Sequence, residues 1–534
     1  MNSLAQGLRR LPPASWLLLL LPLLVVLPPV PIDETRYLSI AWEMRQTGQW
    51  VTLHLNGLPY FDKPPLLFWL LNAIWTVLGS SLWSARALVA ACGIGCVALC
   101  GRVERELAPE ATGQAGWLML GLIFFVLYTG VVMFDVLLCL CVLLGFVAIV
   151  RYVQGRGANA LWLLFAASVL GVLTKGPVML LHLAGPILLA PWWSGRSLRD
   201  SWRSVLIMML VAVLGGMPAL GWAWAAVHHL DPRDAQELLL HQTAGRVVKS
   251  FAHNRPLWWY LPWVPVLLLP WPLLLRWRRL GAAVRTWRVS QAARFGWSAT
   301  VPALLAFCLV SGKQLHYLLP VLPGAAILLG AWSRHDAGLL ALKRLWLLVA
   351  VIAGVYVWSV LQPAPLGRAS PQHGMVVWLY VLSAVLLVLA ALWLWLRRDS
   401  DPLARAAQVA VLVALAMLPL VRLQALSALD VRPMAQRAVE LRASGVPMAR
   451  TNNEPGLLTF LARMPEPLPE AHDPLAWCKQ HPDGVLLAYS GRGKAPPEAI
   501  ASARLANGWA AWVPAQAVLA RPEAIDRYGD PSSD

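Results

Sequence analysis

Eight side chains equipped for chemistry stand out in a chain that is otherwise strongly apolar: Asp33, Asp62, Lys63, Asp135, Lys175, His253, Lys313 and Tyr317. Carboxylates supply general bases, lysines neutralise anions, histidine ligates metals, and a tyrosine can close over a bound headgroup. Each lies at the end of an apolar stretch or in the loop beside it. Charges at the ends of membrane segments usually mark a substrate path or a catalytic site. The segments that carry them are far apart in the chain, so one site requires that they converge at one membrane face.

Asp33, in Ile32-Asp33-Glu34-Thr35-Arg36-Tyr37, directly follows the first apolar stretch. A carboxylate there can orient or deprotonate an acceptor hydroxyl; equally, it precedes a helical pattern and can act as an N-cap. The run Asn56-Gly57-Leu58-Pro59-Tyr60-Phe61-Asp62-Lys63-Pro64-Pro65-Leu66 reads as a stiff turn around an acid–base pair. Lys63 suits a phosphate as a compact point charge. Asp62 can ligate a divalent ion or orient Lys63, and the plain alternative is an interfacial ion pair. Asp135 and Lys175 (the latter in Thr174-Lys175-Gly176-Pro177) fall at the outer ends of successive spans, where a purely structural pair is equally open. In a second polar loop, Arg246 and Arg255 can grip phosphate oxygens bidentately. His253 there is either a metal ligand with Asp62 or polar surface. Lys313 and Tyr317 share a short turn, Ser311-Gly312-Lys313-Gln314-Leu315-His316-Tyr317.

Membrane helices must position these groups. Of 534 residues, 58% are hydrophobic and 13% charged, against about 25% charged in soluble domains. The 29 tryptophans suit a headgroup boundary. A formal charge of +17 would suggest nucleic acid in a soluble protein. Here the basic residues cluster in short loops between apolar runs, so topology and anionic lipid account for them and no nucleic-acid partner is expected.

At roughly 20 apolar residues per crossing, the chain reads as about thirteen spans, near 14–31, 84–101, 113–131, 134–150, 160–175, 177–193, 204–227, 257–275, 296–311, 317–332, 345–361, 375–396 and 404–424. With the N-terminus inside, the inner segments carry Arg9 and Arg10, Arg102 and Arg105, Arg151 and Arg156, and so on to Arg397, Arg398 and Arg405. The long loops 32–83 and 228–256 then lie outside, with amphipathic surface helices expected in both. The membrane domain covers residues 1–426. Residues 427–534 alternate helix-like and strand-like stretches and read as a small outer α/β domain without a nucleotide-binding glycine motif. The run from Trp16 to Val30 lacks a small-residue cleavage site and is read as a retained first span. Seven cysteines show no zinc-site spacing. No internal repeat is evident, which weakens a transporter reading.

Taken in order, the segments around Asp33, Asn56–Leu66, Asp135, Thr174–Pro177, His253–Tyr260 and Gly312–Tyr317 resemble the bacterial aminoarabinose transferases. These are GT-C membrane glycosyltransferases akin to the protein O-mannosyltransferases. The resemblance covers about residues 30–330, and the Asn-Gly-x-Pro-Tyr-Phe-x-Lys-Pro-Pro run is its most specific part. It implies a monomeric, multi-pass protein of the bacterial inner membrane with its site and tail in the periplasm. It also implies transfer of a sugar from an undecaprenyl-phosphate-type donor to a glycolipid such as lipid A, another glycan or a protein. By the same resemblance Asp33 is the catalytic carboxylate and Asp135 the second acid. Lys63, Tyr317 and Arg246 match positions that meet the donor phosphate or close over it. Read from their own charge and place, Arg255 and Lys313 join them, with Glu34, Tyr37, Tyr60 and Lys175 in support. Asp62 and His253 match positions that can hold a divalent ion, zinc, magnesium or manganese. The family often has Glu where this chain has Asp62, and the spacing around Arg246 differs. The rival reading is a flippase for polyprenyl-linked sugars, which expects functional charges near mid-membrane and repeat-related broken helices.

Overall fold

The computed structural model describes residues 12–522 apart from 229, 231–254, 286–289, 337, 363–372, 397–400, 452–453, 491–494 and 506–507. Among the described residues, nine helices are long and apolar enough to cross a membrane, from Leu82–Leu107 to Pro402–Leu429. That is fewer than the expected thirteen regular spans, and proline explains much of the difference. The first apolar stretch forms a tight 3-10 helix, Pro13–Leu23, with Pro22 inside it. Residues 257–275 form short helical turns around Pro262, Pro265, Pro270 and Pro272. The 177–193 stretch divides into Val178–Leu188, containing Pro186, and Ala190–Ser194, with Pro191 in its first turn. A proline lacks the N–H and crowds the preceding turn, so apolar composition secures burial without securing one straight helix. The 113–131 stretch breaks at Gly121, where a Cβ would stand 2.4 Å from the Trp271 ring.

Two helices set up the site. Phe134–Val153 and Gly157–Lys175 form an antiparallel hairpin joined by a short turn at Gly155. At the joined end, Glu106 gathers Arg102, Arg151 and Arg156 at 2.8, 3.0 and 3.0 Å. At the opposite end, residue 135 of the first helix therefore meets residue 175 of the second. Before them, helix Asp33–Thr47 buries Tyr37, Leu38, Ile40, Ala41 and Met44, and stops at Gly48, whose φ of 69° is left-handed. Strands β1 (His54–Leu55) and β2 (Leu58–Pro59) then make a minimal hairpin, followed by helix Leu66–Leu78.

The tail is a four-stranded sheet in the order β3-β4-β6-β5, formed by β3 (Met448–Arg450), β4 (Val485–Ser490), β5 (Ala501–Arg504) and β6 (Trp509–Pro514). β3 runs parallel to β4, and the other pairs are antiparallel. Helix Arg432–Ala443 covers one face through Met434, Ala435, Ala438 and Leu441, and the Trp512 indole donates to the Met434 carbonyl at 3.0 Å. The tail docks on the first loop. Phe460 stacks on Trp75 at 5.1 Å, and the Trp42 indole donates to the Met464 carbonyl at 2.7 Å.

Candidate active site

Asp33 is the first residue of its helix and half-buried; Ile32 occupies the cap position and no side chain caps there. The N-cap alternative is thus not used. Instead the Tyr37 hydroxyl, one turn along the same face, lies 3.4 Å from Asp33 Oδ1 and donates to it. The Tyr37 ring packs edge-on to Phe134 at 4.8 Å, directly before Asp135. Burial, then the neighbouring Asp33, Tyr60 and Asp135, push the Tyr37 hydroxyl well above the ordinary tyrosine value, so it stays a donor.

Asp135 is buried at 2% exposure, and Lys175 Nζ reaches its Oδ1 at 2.5 Å. His316 Nε2 stands 3.8 Å from the other oxygen, longer than a hydrogen bond. Lys175 also lies over the Tyr317 ring, 4.2 Å from its centroid, a cation–π distance. Lys63, from the hairpin loop, belongs to the same group of charges. Burial, then Lys175, hold its ammonium below the ordinary lysine value, while Asp62, Asp33 and Asp135 pull in the other direction. Asp33, Tyr37, Tyr60, Asp62, Lys63, Asp135, Lys175 and Tyr317, with His316, thus converge at one end of the bundle.

The remaining candidates are placed differently. Glu34 is fully buried and tied to Arg86 through two contacts, 2.9 and 2.7 Å, as well as to the N–H groups of Val30 and Val132. Its charge is wholly used in structure. Lys313 is also buried, and its ammonium donates to the carbonyls of Arg255, at 3.0 Å, and Val310. The structure thus spends two of its three donors on closing the turn. Arg255 is exposed, with its guanidinium 5.7 Å from the Trp259 ring centroid. Arg246 and His253 lie outside the described residues. Among the described residues, no three His, Cys, Asp or Glu side chains form a group that would hold a metal ion. The second ligand expected with Asp62, His253, is not among those residues.

Two residues gain roles that the sequence did not assign to them. His316 sits in the same turn as Lys313 and Tyr317, but only folding brings it to Asp135. Arg86 was signalled by its position, a lone cation inside an apolar span.

Comparison with known proteins identifies the family and the fold. Residues 62–222 match the family model described as dolichyl-phosphate-mannose-protein mannosyltransferase. An undecaprenyl phosphate-alpha-4-amino-4-deoxy-L-arabinose arabinosyl transferase 1 of Pseudomonas fluorescens, strain Pf0-1, is 30% identical over 56% of this chain and 52% of its own. The corresponding transferase 1 of strain Pf-5 is 30% identical over 68% of each chain. The crystal structure of ArnT from Cupriavidus metallidurans bound to undecaprenyl phosphate superposes with a TM-score of 0.68 at 18% identity, over 93% of this chain and 98% of that one. That likeness shows a common fold: a helical membrane bundle with a small C-terminal sheet domain. The chain belongs to the undecaprenyl phosphate-aminoarabinose arabinosyl transferase family. It spans about half the length of the first curated relatives it matches.

Proposed function

We propose that this chain is a glycosyltransferase. It moves a sugar, aminoarabinose on the strength of its relatives' names, from an undecaprenyl-phosphate-linked donor to an anionic glycolipid of the lipid A type. The observation that carries the reading is the convergence of Asp33, Lys63 and the Asp135–Lys175 pair, from separate segments, at one end of the bundle. The basic residues around Glu106 gather at the other end of the same helices, the cytoplasmic end by the positive-inside asymmetry. The cluster and the tail then face the periplasm.

A polyprenyl phosphate is anionic at its head and apolar below, so it needs cations at the membrane boundary above a lipid-facing bundle. Lys63 and Lys175 neutralise charge as it builds on the leaving phosphate, which stabilises the transition state by placed charge. Asp135 holds Lys175 in place, and the Tyr317 ring supports the same ammonium. Asp33, held by Tyr37, orients the acceptor. Where the acceptor is itself a phosphate, orientation suffices and no strong base is needed. Attack from the face opposite the lipid phosphate inverts the anomeric centre. Arg255 is exposed beside this group as an outer contact for the donor head, and Lys313 ties the turn that carries Tyr317.

The test is reconstitution of the full chain in lipid nanodiscs with undecaprenyl-phosphate-linked aminoarabinose and lipid A, read by mass spectrometry and anomer-resolved NMR. A mass increment of one sugar with inverted configuration is expected. No increment with any lipid-linked pentose sinks the transferase reading, and a retained anomer sinks the inverting step. Nothing in the charge placement favours the flippase reading, which needs its charges at mid-membrane.

A further inference from the structure

The Asn56–Gly57 turn sits where three parts of the chain meet. Its φ angles are 56° and 79°, both left-handed, as a two-residue loop pairing Leu55 with Leu58 requires. One carboxylate accepts both of its N–H groups: Glu43, on helix Asp33–Thr47, bonds Asn56 N at 2.7 Å and Gly57 N at 3.0 Å. The Asn56 side chain reaches the opposite way, into the tail. Its amide donates to the Glu454 carbonyl at 2.7 Å and to Glu454 Oε2 at 2.6 Å, and its oxygen accepts from Thr459 at 3.4 Å. Glu454 is in turn held by the N–H groups of Gly456 and Leu457 at 2.9 and 2.6 Å. Gly456 permits the approach: a Cβ there would stand 2.5 Å from the Leu55 side chain.

Asn56, Glu43 and Glu454 are all buried. Burying two carboxylates around a hairpin tip is costly, and water would satisfy an ordinary surface turn without them. This turn differs from such a turn in where it leads. β2 runs straight into Tyr60, Asp62 and Lys63, and Tyr60 N closes the hairpin on the Leu53 carbonyl at 2.8 Å. A tilt at Asn56 is therefore passed to Lys63 through a short, stiff ribbon.

We infer that Asn56 and Glu454 are positioning residues, a latch by which the C-terminal domain sets the place of Lys63 against the donor phosphate. The inference rests on the proposed role of Lys63 in meeting that phosphate. Asn56→Gly removes the latch side chain while keeping the left-handed turn and both Glu43 bonds. In the full chain in nanodiscs we expect at least a tenfold rise in donor KM, with acceptor KM unchanged. Amide hydrogen exchange should rise across residues 54–65 and stay unchanged in the tail sheet. Glu454→Gln, which keeps the side-chain shape and weakens the charge-assisted bonds, should give the same pattern at smaller amplitude and serves if Asn56→Gly folds poorly. Unchanged exchange at 54–65 would mean there is no latch. Raised exchange with an unaltered donor KM would mean that the latch does not position the chemistry. A wild-type chain without transfer activity would defeat the functional reading, and donor-binding affinity would then replace KM as the readout. In that arm, variants binding donor as tightly as the wild type overturn the latch.

Discussion

Two buried ion pairs meet at the start of helix Phe134–Val153, where Glu34 accepts from the Val132 N–H and Asp135 lies in the first turn, yet they behave in opposite ways. Glu34 and Arg86 satisfy each other almost completely. All five guanidinium donors of Arg86 are used, on Glu34 and on the carbonyls of Leu24, Leu27 and Pro28, and Glu34 accepts two backbone N–H groups besides. Asp135 and Lys175 share one short bond, with His316 held off at 3.8 Å and Lys175 resting on an aromatic face. A saturated pair has nothing left for a ligand and serves the fold. A pair bound on one side keeps capacity for an incoming phosphate or hydroxyl. The number of committed donors, more than burial, separates the structural role of the first pair from the role proposed for the second.

The widest contrast comes from exchanging the two kinds of damage. Arg86→Met should destabilise the protein by about 3–5 kcal/mol, because it leaves Glu34 buried without its partner. Thermal unfolding in detergent would show this, and an unmoved melting point would erase the distinction between the two pairs. Asp33→Asn should leave melting unchanged and cost at least ~1000-fold in transfer, about 4 kcal/mol of barrier. A variant that keeps a tenth of wild-type turnover would remove Asp33 from the chemistry.

Next in size, Lys63→Met should lower turnover by roughly 100- to 1000-fold, the range for deleting one placed charge, with Lys63→Arg retaining more. The pH profile sharpens this. Burial and Lys175 depress the Lys63 ammonium below its usual 10.5, so transfer should fall as pH rises through that lowered value. Across the window between the lowered value and 10.5, the folded chain binds fewer protons than the unfolded one. Lys63 therefore makes stability rise with pH there. In Lys63→Arg the alkaline limb should move upward; a limb that stays in place would belong to another group.

The smallest effect is expected at the aromatic support. Tyr317→Ala removes a contact worth about 0.5–2 kcal/mol, roughly a 2- to 30-fold change, whereas Tyr317→Phe should keep most of it. Equal losses in both variants would shift the role of Tyr317 from its ring to its hydroxyl.

Much of this was legible before folding. Apolar composition and basic loops gave a polytopic bundle, because lipid demands long apolar helices and anionic leaflets hold cations on one side. Asp33, Asp135 and Lys175 were legible as candidates because ionised groups at span ends are costly, and Lys63 by the stiff turn that carries it; the roles given to them are proposals. The regular count of spans was not legible, since prolines such as Pro191, Pro265 and Pro272 start new short turns inside stretches that stay apolar overall. The roles of Glu34 and Lys313 were not legible either. Adjacent letters such as Asp33 and Glu34 look alike in a sequence, yet successive helical residues point about 100° apart, one to the site and one to Arg86.

Sequence alone therefore determined the class of solvent and the chemical inventory, since each derives from composition and local pattern. Tertiary structure alone decided which charges are spent and which are kept in reserve. That depends on backbone carbonyls and N–H groups brought in from distant segments, as Leu24 and Leu27 are to Arg86 and Arg255 is to Lys313. Hydrogen-bond saturation is a property of neighbours in space, and spacing along a chain does not encode it.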